Sequence, residues 1–332
     1  MDNFGNGEKD ASEWQFALSD ERRSNAAEMT ENMKNRRRNL SEILLKTLDV
    51  NDVVDWEKQR DRREFPEFKY IAPIPKQEDY ILKKKSLFNE IPKQKKLNEQ
   101  FFKENEEYIF QKKAALKRYL SDKIEQITEI NHNNSDLDNL KYYFDKSEKS
   151  AIEEYATLVI ENSKYPDEID IHYNINFYKT GKTFTINCLL PSIENFPLID
   201  SFKFDLSSGK MIELPMNAEK SSKFYEQTLI SIGIRTIHEL YEAFGNNGVE
   251  KIIFNGYVSK NNQKIFGEKR LDGAKDFTKN TSCIFAINAE KLEFMQLDLA
   301  SNDIESLSEK LHIVRVKKFN DFTQLMAPIS AK

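Results

Sequence analysis

The sequence predicts an α+β fold, in which a long helical, coiled-coil-like arm precedes a domain with a mostly antiparallel sheet and a central long helix. No glycine occurs between Gly7 and Gly181, and this stretch is rich in Lys, Glu, Gln and Arg, which favours long helices. In the second half, hairpins come first, then a helix, then further strands, an order typical of α+β domains. Hydrophobic residues make up 39% and charged residues 32% of the 332 positions, against about 45–50% and ~25% in ordinary globular domains. Part of the chain is therefore expected to be solvated helix or disordered tail.

The arm is predicted to occupy residues 21–135, after a disordered start at residues 1–20. Between about Asp20 and Leu48, apolar residues recur at helical spacing on one stripe. This stripe consists of Ala26, Met29, Met33, Leu40, Leu44 and Leu48. Four prolines then interrupt residues 50–92, so that this connector is expected to be extended with at most short helical pieces.

A second long helix is predicted from Lys93 to Ile130. Its narrow apolar stripe contains Leu97, Phe101, Tyr108, Ala115, Tyr119 and Ile130, and Ile109, Leu116, Leu120 and Ile127 widen it. The heptad is irregular, so we expect the two long helices to pack against each other or against a second chain. The run NHNNSDLDN at 131–139 is interpreted as a polar linker.

The α+β domain is predicted over residues 136–332 and is expected to fold without the arm. Ser150 and Glu153 have capping-box spacing at the start of a helix that Pro166 ends. The strands IDIHYNINFY and TFTINCLL flank a turn at Thr180-Gly181-Lys182, and a second hairpin is expected around Ser208-Gly209.

A long helix follows from Ala218 to Phe244, ended by Gly245. KIIFNGYVS and SCIFAINA are interpreted as two strands separated by a long loop at 260–280. Helical pieces near 289–311 and a last strand, HIVRVK, complete the predicted domain.

One polar stripe runs along the otherwise apolar helix 218–244. Steps of three, four and seven place these side chains on one face: Thr228, Ser231, Arg235, His238 and Glu242, with Glu239 at its edge. One interpretation is a structural ion pair of Arg235 with Glu239 or Glu242 on the exposed face. The other is a site that binds an anion or a partner.

The sequence predicts no catalytic residue, no cofactor and no metal site. His238-Glu239 with Glu242 matches half of the HExxH zinc motif, but glutamate replaces the second histidine. Only Glu67-Phe68-Lys69 and Gln94-Lys95-Lys96 have the Glu/Gln-x-Lys spacing of PD-(D/E)xK nucleases, and both lie in the charged, proline-broken first half. Asp170-x-His172 is interpreted as part of a solvated sheet face. The protein is therefore expected not to be an enzyme, although the sequence leaves this open.

Composition also limits the compartment and the partners. The net charge of −5 gives little support to nucleic-acid binding, although a local basic patch is compatible with it. Cys188 and Cys283 are too few for a disulfide scaffold and are expected to be buried free thiols. The start of the chain lacks the pattern of a signal peptide, and no apolar run is long enough to span a membrane. We expect a cytoplasmic protein without a membrane partner.

Several strings resemble the non-catalytic amino-terminal region of Mrr-like bacterial restriction endonucleases. They are LLKTLDVNDVVDWEKQR, AIEEYATLVIENSKYP, Leu189–Ser192, ISIGIRTIHELYEAF and KIIFNGYVS. In the longer relatives a PD-(D/E)xK domain follows a segment like Met326–Ile329, whereas this sequence ends at Lys332. The 260–280 loop and the ending SLSEKLHIVRVKKF also depart from the family pattern. The resemblance implies a part of a restriction or phage-defence system in which cutting is lost or supplied by another polypeptide.

These observations predict a non-enzymatic accessory, sensor or assembly subunit of a bacterial defence system. Its expected partner is a nuclease, ATPase or helicase subunit, bound through the arm and the α+β domain, and the arm is also able to self-associate. One alternative is a metal-dependent nuclease with an unrecognised site. A second is a coiled-coil scaffold.

Overall fold

The computed structural model describes residues 6–82, 90–259, 281–301, 303–319 and 326–331. The chain forms two compact units: residues 1–54 with 142–332, and residues 55–141. We call them the sheet unit and the inserted unit. The division differs from the predicted one, because residues up to Val54 belong with the sheet and not with the arm.

The sheet unit contains a five-stranded mixed sheet in the order β1-β2-β5-β6-β7. Its strands are β1 (His172–Tyr178), β2 (Thr183–Leu190), β5 (Lys251–Ser259), β6 (Thr281–Glu290) and β7 (Val314–Arg315). All neighbours are antiparallel except β2 and β5, which run parallel with Ile186 opposite Phe254. A mostly antiparallel sheet is thus confirmed, and the predicted last strand shrinks to two residues. The predicted 260–280 loop lies outside the described residues.

Helix α5 (Ala218–Phe244) lies centrally, as predicted, with buried residues around most of its circumference. At Gly233 the side chains of Phe254, Phe285 and Ile287 come within 3.2 Å of where a Cβ would be, so the helix lies close on β5 and β6. The shorter helices around it are α4 (Lys149–Asn162), α6 (Lys291–Phe294) and α7 (Ile304–Lys310). Both cysteines are free and buried in the sheet, as predicted.

Helix α1 (Asn6–Ser41) packs against the hairpin of β3 (Ile199–Asp205) and β4 (Lys210–Pro215). The hydroxyl of Thr30 accepts a 2.9 Å hydrogen bond from the backbone N–H of Phe202, and Arg37 donates to the carbonyl of Ile199. Leu40 and Leu44 are fully buried. Ala26 is also buried, whereas Met29 of the same stripe is 40% exposed. Most of this apolar stripe is therefore covered within the sheet unit, and the predicted coiled-coil arm is not what the structure describes. Residues 6–20, predicted to be disordered, form the first turns of α1.

The inserted unit consists of α2 (Trp56–Gln59), an extended strap at 60–82 and most of α3 (Glu90–Asp145). The strap runs antiparallel to α3 and contains a short 3-10 turn at Gln77–Tyr80, so the extended connector is confirmed. Its aromatic rings pack on the narrow stripe of α3 at centroid distances of 5.2–5.4 Å. The pairs are Phe65 and Phe68 with Tyr119, Tyr70 with Tyr108, and Tyr80 with Phe101.

The predicted polar linker at 131–139 is wrong, because α3 continues through it. The side-chain amide of Asn134 bonds both the N–H and the carbonyl of Asp61, at 2.9 and 3.1 Å. One turn later, Asp138 accepts from Arg60 at 2.5 Å. The polar residues of this run therefore bind the strap while remaining helical.

Candidate functional site

Four residues of the polar stripe of α5, Thr228, Ser231, Arg235 and Glu239, are buried, so the prediction that the stripe lies on an exposed face is wrong for them. His238 and Glu242 are half-buried. Residues 41–54 and 163–165 of the same unit cover much of the stripe. The hydroxyls of Thr228 and Ser231 each donate 2.8 Å bonds to the carbonyl four residues earlier in the helix. They line a cavity of about 100 Å³ with Ser41 and Ile304. Their bonding is satisfied within α5, and they take no further part in the site.

Arg235 and Glu239 form the predicted ion pair, but in the interior, at 7% and 2% exposure. Arg235 Nε donates to Glu239 Oε1 at 2.7 Å. The same guanidinium donates to Ser163 Oγ at 2.9 Å and to the carbonyl of Lys164 at 3.1 Å, and it lies over the ring of Tyr165. Arg235 is therefore fully occupied with groups of the protein.

Glu239 Oε1 collects three donors from three parts of the chain. In addition to Arg235, it accepts from Ser163 Oγ at 2.7 Å and from Thr47 Oγ1 at 3.0 Å. Arg235 also reaches the carbonyl of Ile43 at 3.4 Å. This network fastens the segment after α1, the end of α4 and the centre of α5 together.

His238 and Glu242 lie beside this network, one helical turn apart, and Asp52 joins them from the segment before α2. One ligand atom from each of the three side chains lies within 4.8 Å of the other two. His238 Nε2 and Glu242 Oε2 are 3.8 Å apart. The sequence predicts no metal site because Glu242 replaces the second histidine, yet the structure brings the carboxylates of Glu242 and Asp52 together at His238.

Burial shifts the pKa values of two side chains of this cluster, Asp52 and His238. Burial, with the carboxylates of Glu239 and Glu242 nearby, raises the pKa of Asp52 to about 7. Burial also lowers the pKa of His238, so the imidazole tends to be neutral. Among the residues that the structure describes, three buried atoms here have no hydrogen-bond partner: Asp52 Oδ2, His238 Nε2 and Glu239 Oε2. A neutral imidazole beside carboxylates is a donor set suited to a divalent transition metal.

Asp52 could not be found from sequence. It lies in the string NDVVDW, where nothing distinguishes it from Asp49 or Asp55, and it meets α5 only because the segment after α1 packs there. Only the spacing of four between His238 and Glu242 could have indicated a shared site.

The other motifs do not form sites. Glu67 lies in the extended strap and Gln94 in helix α3, where it donates to the carbonyl of Tyr80, so neither is on a strand. His172 is buried at the start of β1, not solvated as predicted, and Asp170 is exposed. The three consecutive arginines at 36–38 could contact phosphates, but Arg36 pairs with Glu168 at 2.5 Å and Arg37 binds hairpin carbonyls. These two arginines are committed to the sheet unit.

No known protein family, curated protein or solved structure matches the chain. The resemblance to Mrr-like endonucleases therefore stays a prediction. Within the described ranges, none of the helices has the length and apolar character needed to cross a membrane.

Proposed function

We propose that the protein is an accessory subunit of a bacterial restriction or anti-phage system, and that it binds a partner protein through one face of α3. The observation that carries the partner site is a row of exposed apolar side chains, which we call the α3 face. It comprises Phe102, Ile109, Leu116, Leu120, Ile124 and Ile127, each between 39% and 66% exposed. At 100° per residue these six fall within a sector of about 80°. The row is about 38 Å long at 1.5 Å per residue.

The strap leaves this face uncovered. The side chains that the strap covers, such as Phe101, Tyr108 and Tyr119, lie roughly 100° around the helix from it. They are half-buried, whereas the α3 face is exposed. A continuous apolar surface of this kind is characteristic of a protein-binding site, because leaving it in water is costly.

A helix from a different protein fits this face better than a second copy of the chain. Lys113 is exposed and lies in the middle of the row, between Ile109 and Leu116. In a parallel pair of identical helices it would meet its own copy, and like charges at such a position disfavour pairing. A partner helix that places an acidic residue opposite Lys113 satisfies both the apolar row and the charge. The nuclease, ATPase or helicase subunit that the resemblance implies is the source of such a helix.

The test compares two double variants in the native host under phage challenge. Leu116→Glu with Ile124→Glu places charges on the α3 face. Ala114→Glu with Arg118→Glu places them on exposed positions of the same helix, away from both the face and the strap. We expect only the first variant to lose protection, with both variants keeping the wild-type circular dichroism. Protection that survives in the first variant, or is lost equally in both, would contradict the proposal.

A photo-crosslinking amino acid on the α3 face identifies the protein that binds there. Placed at Leu120 it should capture a subunit of the defence system, and placed at Arg118 it should not. A crosslink between two copies of the chain at Leu120 would replace the partner with self-association and favour the scaffold alternative. Cleavage of plasmid DNA by the purified protein with Mn²⁺ would favour the nuclease alternative.

A further inference from the structure

We propose that Asp52, His238 and Glu242 form a binding site for one divalent transition-metal ion of the zinc class, with a structural role. Metal–ligand distances for zinc are about 2.0–2.2 Å, which places tetrahedral ligand atoms about 3.4 Å apart. His238 Nε2 and Glu242 Oε2 are already 3.8 Å apart, and all three ligand atoms lie within 4.8 Å of one another. A closure of about 0.4–1.4 Å brings the three atoms to the spacing of ligands around one ion, with a water molecule as the fourth ligand.

Unpartnered buried atoms are the second observation that points to a cation. Asp52 Oδ2 and His238 Nε2 are both shielded from solvent without a hydrogen bond to any described part of the chain, and so is the second oxygen of Glu239, a side chain only 2% exposed. Buried polar atoms are nearly always paired, because an unpaired one loses its hydration without replacement. Two of these atoms belong to the proposed ligands and the third to a carboxylate that acts electrostatically on Asp52, which indicates that a cation is needed there.

The charge balance indicates the sign and size of that group. Asp52, Glu239 and Glu242 contribute three carboxylates, and Arg235 is the guanidinium that pairs with Glu239. Ionised, these four groups leave two negative charges. Arg235 is committed to Glu239, Ser163 and Lys164, so it cannot turn to Asp52 without breaking that network. A divalent ion balances the remainder.

The donor set selects the class of metal. One imidazole nitrogen with two carboxylate oxygens suits zinc and its first-row neighbours, whereas magnesium and calcium prefer oxygen ligands alone. His238 and Glu242 are four residues apart on α5, the spacing that lets two side chains of one helix bind a single ion. Asp52 comes from a separate segment and closes the site.

The position of the site indicates what the ion does. Within the sheet unit, Thr47 and Val54 on either side of Asp52 are anchored to Glu239 and Tyr155, respectively. A metal at Asp52 adds a third anchor to this segment and fixes it on α5. Three protein ligands leave the fourth tetrahedral position to a water molecule, and the role that the position of the site indicates is to hold this segment in place.

The test uses the full-length protein, stripped of metal with a chelator and then titrated with Zn²⁺ by calorimetry. We expect one equivalent to bind with micromolar or tighter affinity and to raise the melting temperature. Asp52→Asn and His238→Asn should each weaken binding at least tenfold. The matched control is His132→Ala, which removes an exposed histidine that also faces a carboxylate, Asp136, four residues later at 3.5 Å. This control should bind Zn²⁺ like the wild type.

Several outcomes would overturn the proposal. They are the absence of Zn²⁺ binding at 100-fold molar excess, unchanged affinity in Asp52→Asn, or equal weakening in His132→Ala. If circular dichroism shows that His238→Asn does not fold, Glu242→Gln decides, because the Glu242 side chain is more exposed than that of His238, 33% against 18%. The visible spectrum of the Co²⁺-substituted protein supplies an independent readout, since its intensity reports a coordinated metal and should disappear in Glu242→Gln.

Discussion

The backbone N–H of Val54 donates a 3.1 Å hydrogen bond to the hydroxyl of Tyr155. The ring of the same tyrosine stacks on Phe144 at 3.9 Å, and its hydroxyl donates to the carbonyl of Ala243. Val54 and Phe144 lie just outside the two ends of the inserted unit. The points where the chain leaves and re-enters the sheet unit therefore meet at one buried side chain.

Because Val54 and Phe144 both contact Tyr155, a short linker can join the two ends, and we predict that the sheet unit folds without the inserted unit. Replacing residues 55–141 with a Gly-Ser linker of about six residues, whose reach is about 13 Å, should leave a folded protein. Circular dichroism and a cooperative thermal transition check this outcome. Deletion of residues 1–131 is the contrasting variant. It removes the buried Leu40, Ile43 and Leu44 and should yield an unfolded or aggregated fragment. The reverse pattern would disprove the division into units.

The Arg235–Glu239 pair predicts a large stability effect. Arg235→Ala leaves the buried Glu239 side chain without its cation, and breaking such a pair costs about 3–5 kcal/mol. Urea denaturation measures the loss. Arg235→Met combined with Glu239→Leu should be less destabilising than Arg235→Ala alone, since no charge stays unpaired. A loss below about 1 kcal/mol in Arg235→Ala would show that the pair is not a structural centre.

Any side chain larger than hydrogen at Gly256 is expected to clash with a neighbouring strand of the sheet. A Cβ at this position would lie 2.3 Å from a ring carbon of Phe285, and that ring stacks between Phe254 and Phe319. Gly256→Ala should therefore destabilise the protein by about 1–3 kcal/mol. Phe285→Leu in the same background should recover part of the loss. Gly181→Ala, whose new methyl would meet only the Thr183 hydroxyl at 3.3 Å, is the milder control in the same denaturation experiment.

Because the strap packs on only one side of α3, substitutions of the neighbouring residues Tyr119 and Leu120 are expected to affect tryptic cleavage of the strap differently. Tyr119 holds Phe65 and Phe68, whereas Leu120 lies on the exposed α3 face. Tyr119→Ala should loosen the strap and speed tryptic cleavage after Arg62 and Arg63 by about tenfold, equivalent to about 1.4 kcal/mol of local stability. Leu120→Ala should leave the cleavage rate unchanged. Equal rates in both variants would mean that the rings do not hold the strap.

Local patterns were sufficient to predict much of the secondary structure. The turns at Gly181 and Gly209, the helix from Ala218 to Phe244 and the flanking strands follow from alternation, helical periodicity and glycine positions, which act over a few residues. The narrow stripe of α3 was likewise identified correctly, although its cover is the strap of the same chain.

The remaining predictions failed for residues whose surroundings depend on contacts with segments far away in the sequence. Ser150 and Glu153 have capping-box spacing, yet Glu153 accepts the backbone N–H of Phe177 at 2.7 Å instead of capping its own helix. The polar stripe of α5 looks solvent-exposed in sequence, but the segment around Thr47 covers it. Asp52 enters the site for the same reason. Each failure reflects a contact between residues far apart in sequence, which periodicity does not encode.

The bond between Thr47 and Glu239 also has a consequence for biosynthesis, since 192 residues separate its two ends. At about 5–20 residues per second, a ribosome needs about 10–40 s to produce the partner after the first residue has emerged. For most of this interval the hairpin that covers the apolar stripe of α1 has not been synthesised, and α5 is completed only after the interval ends. The nascent chain therefore presents a chaperone-type binding segment near its amino terminus, and the last steps of translation, not the first, allow this end of the protein to fold.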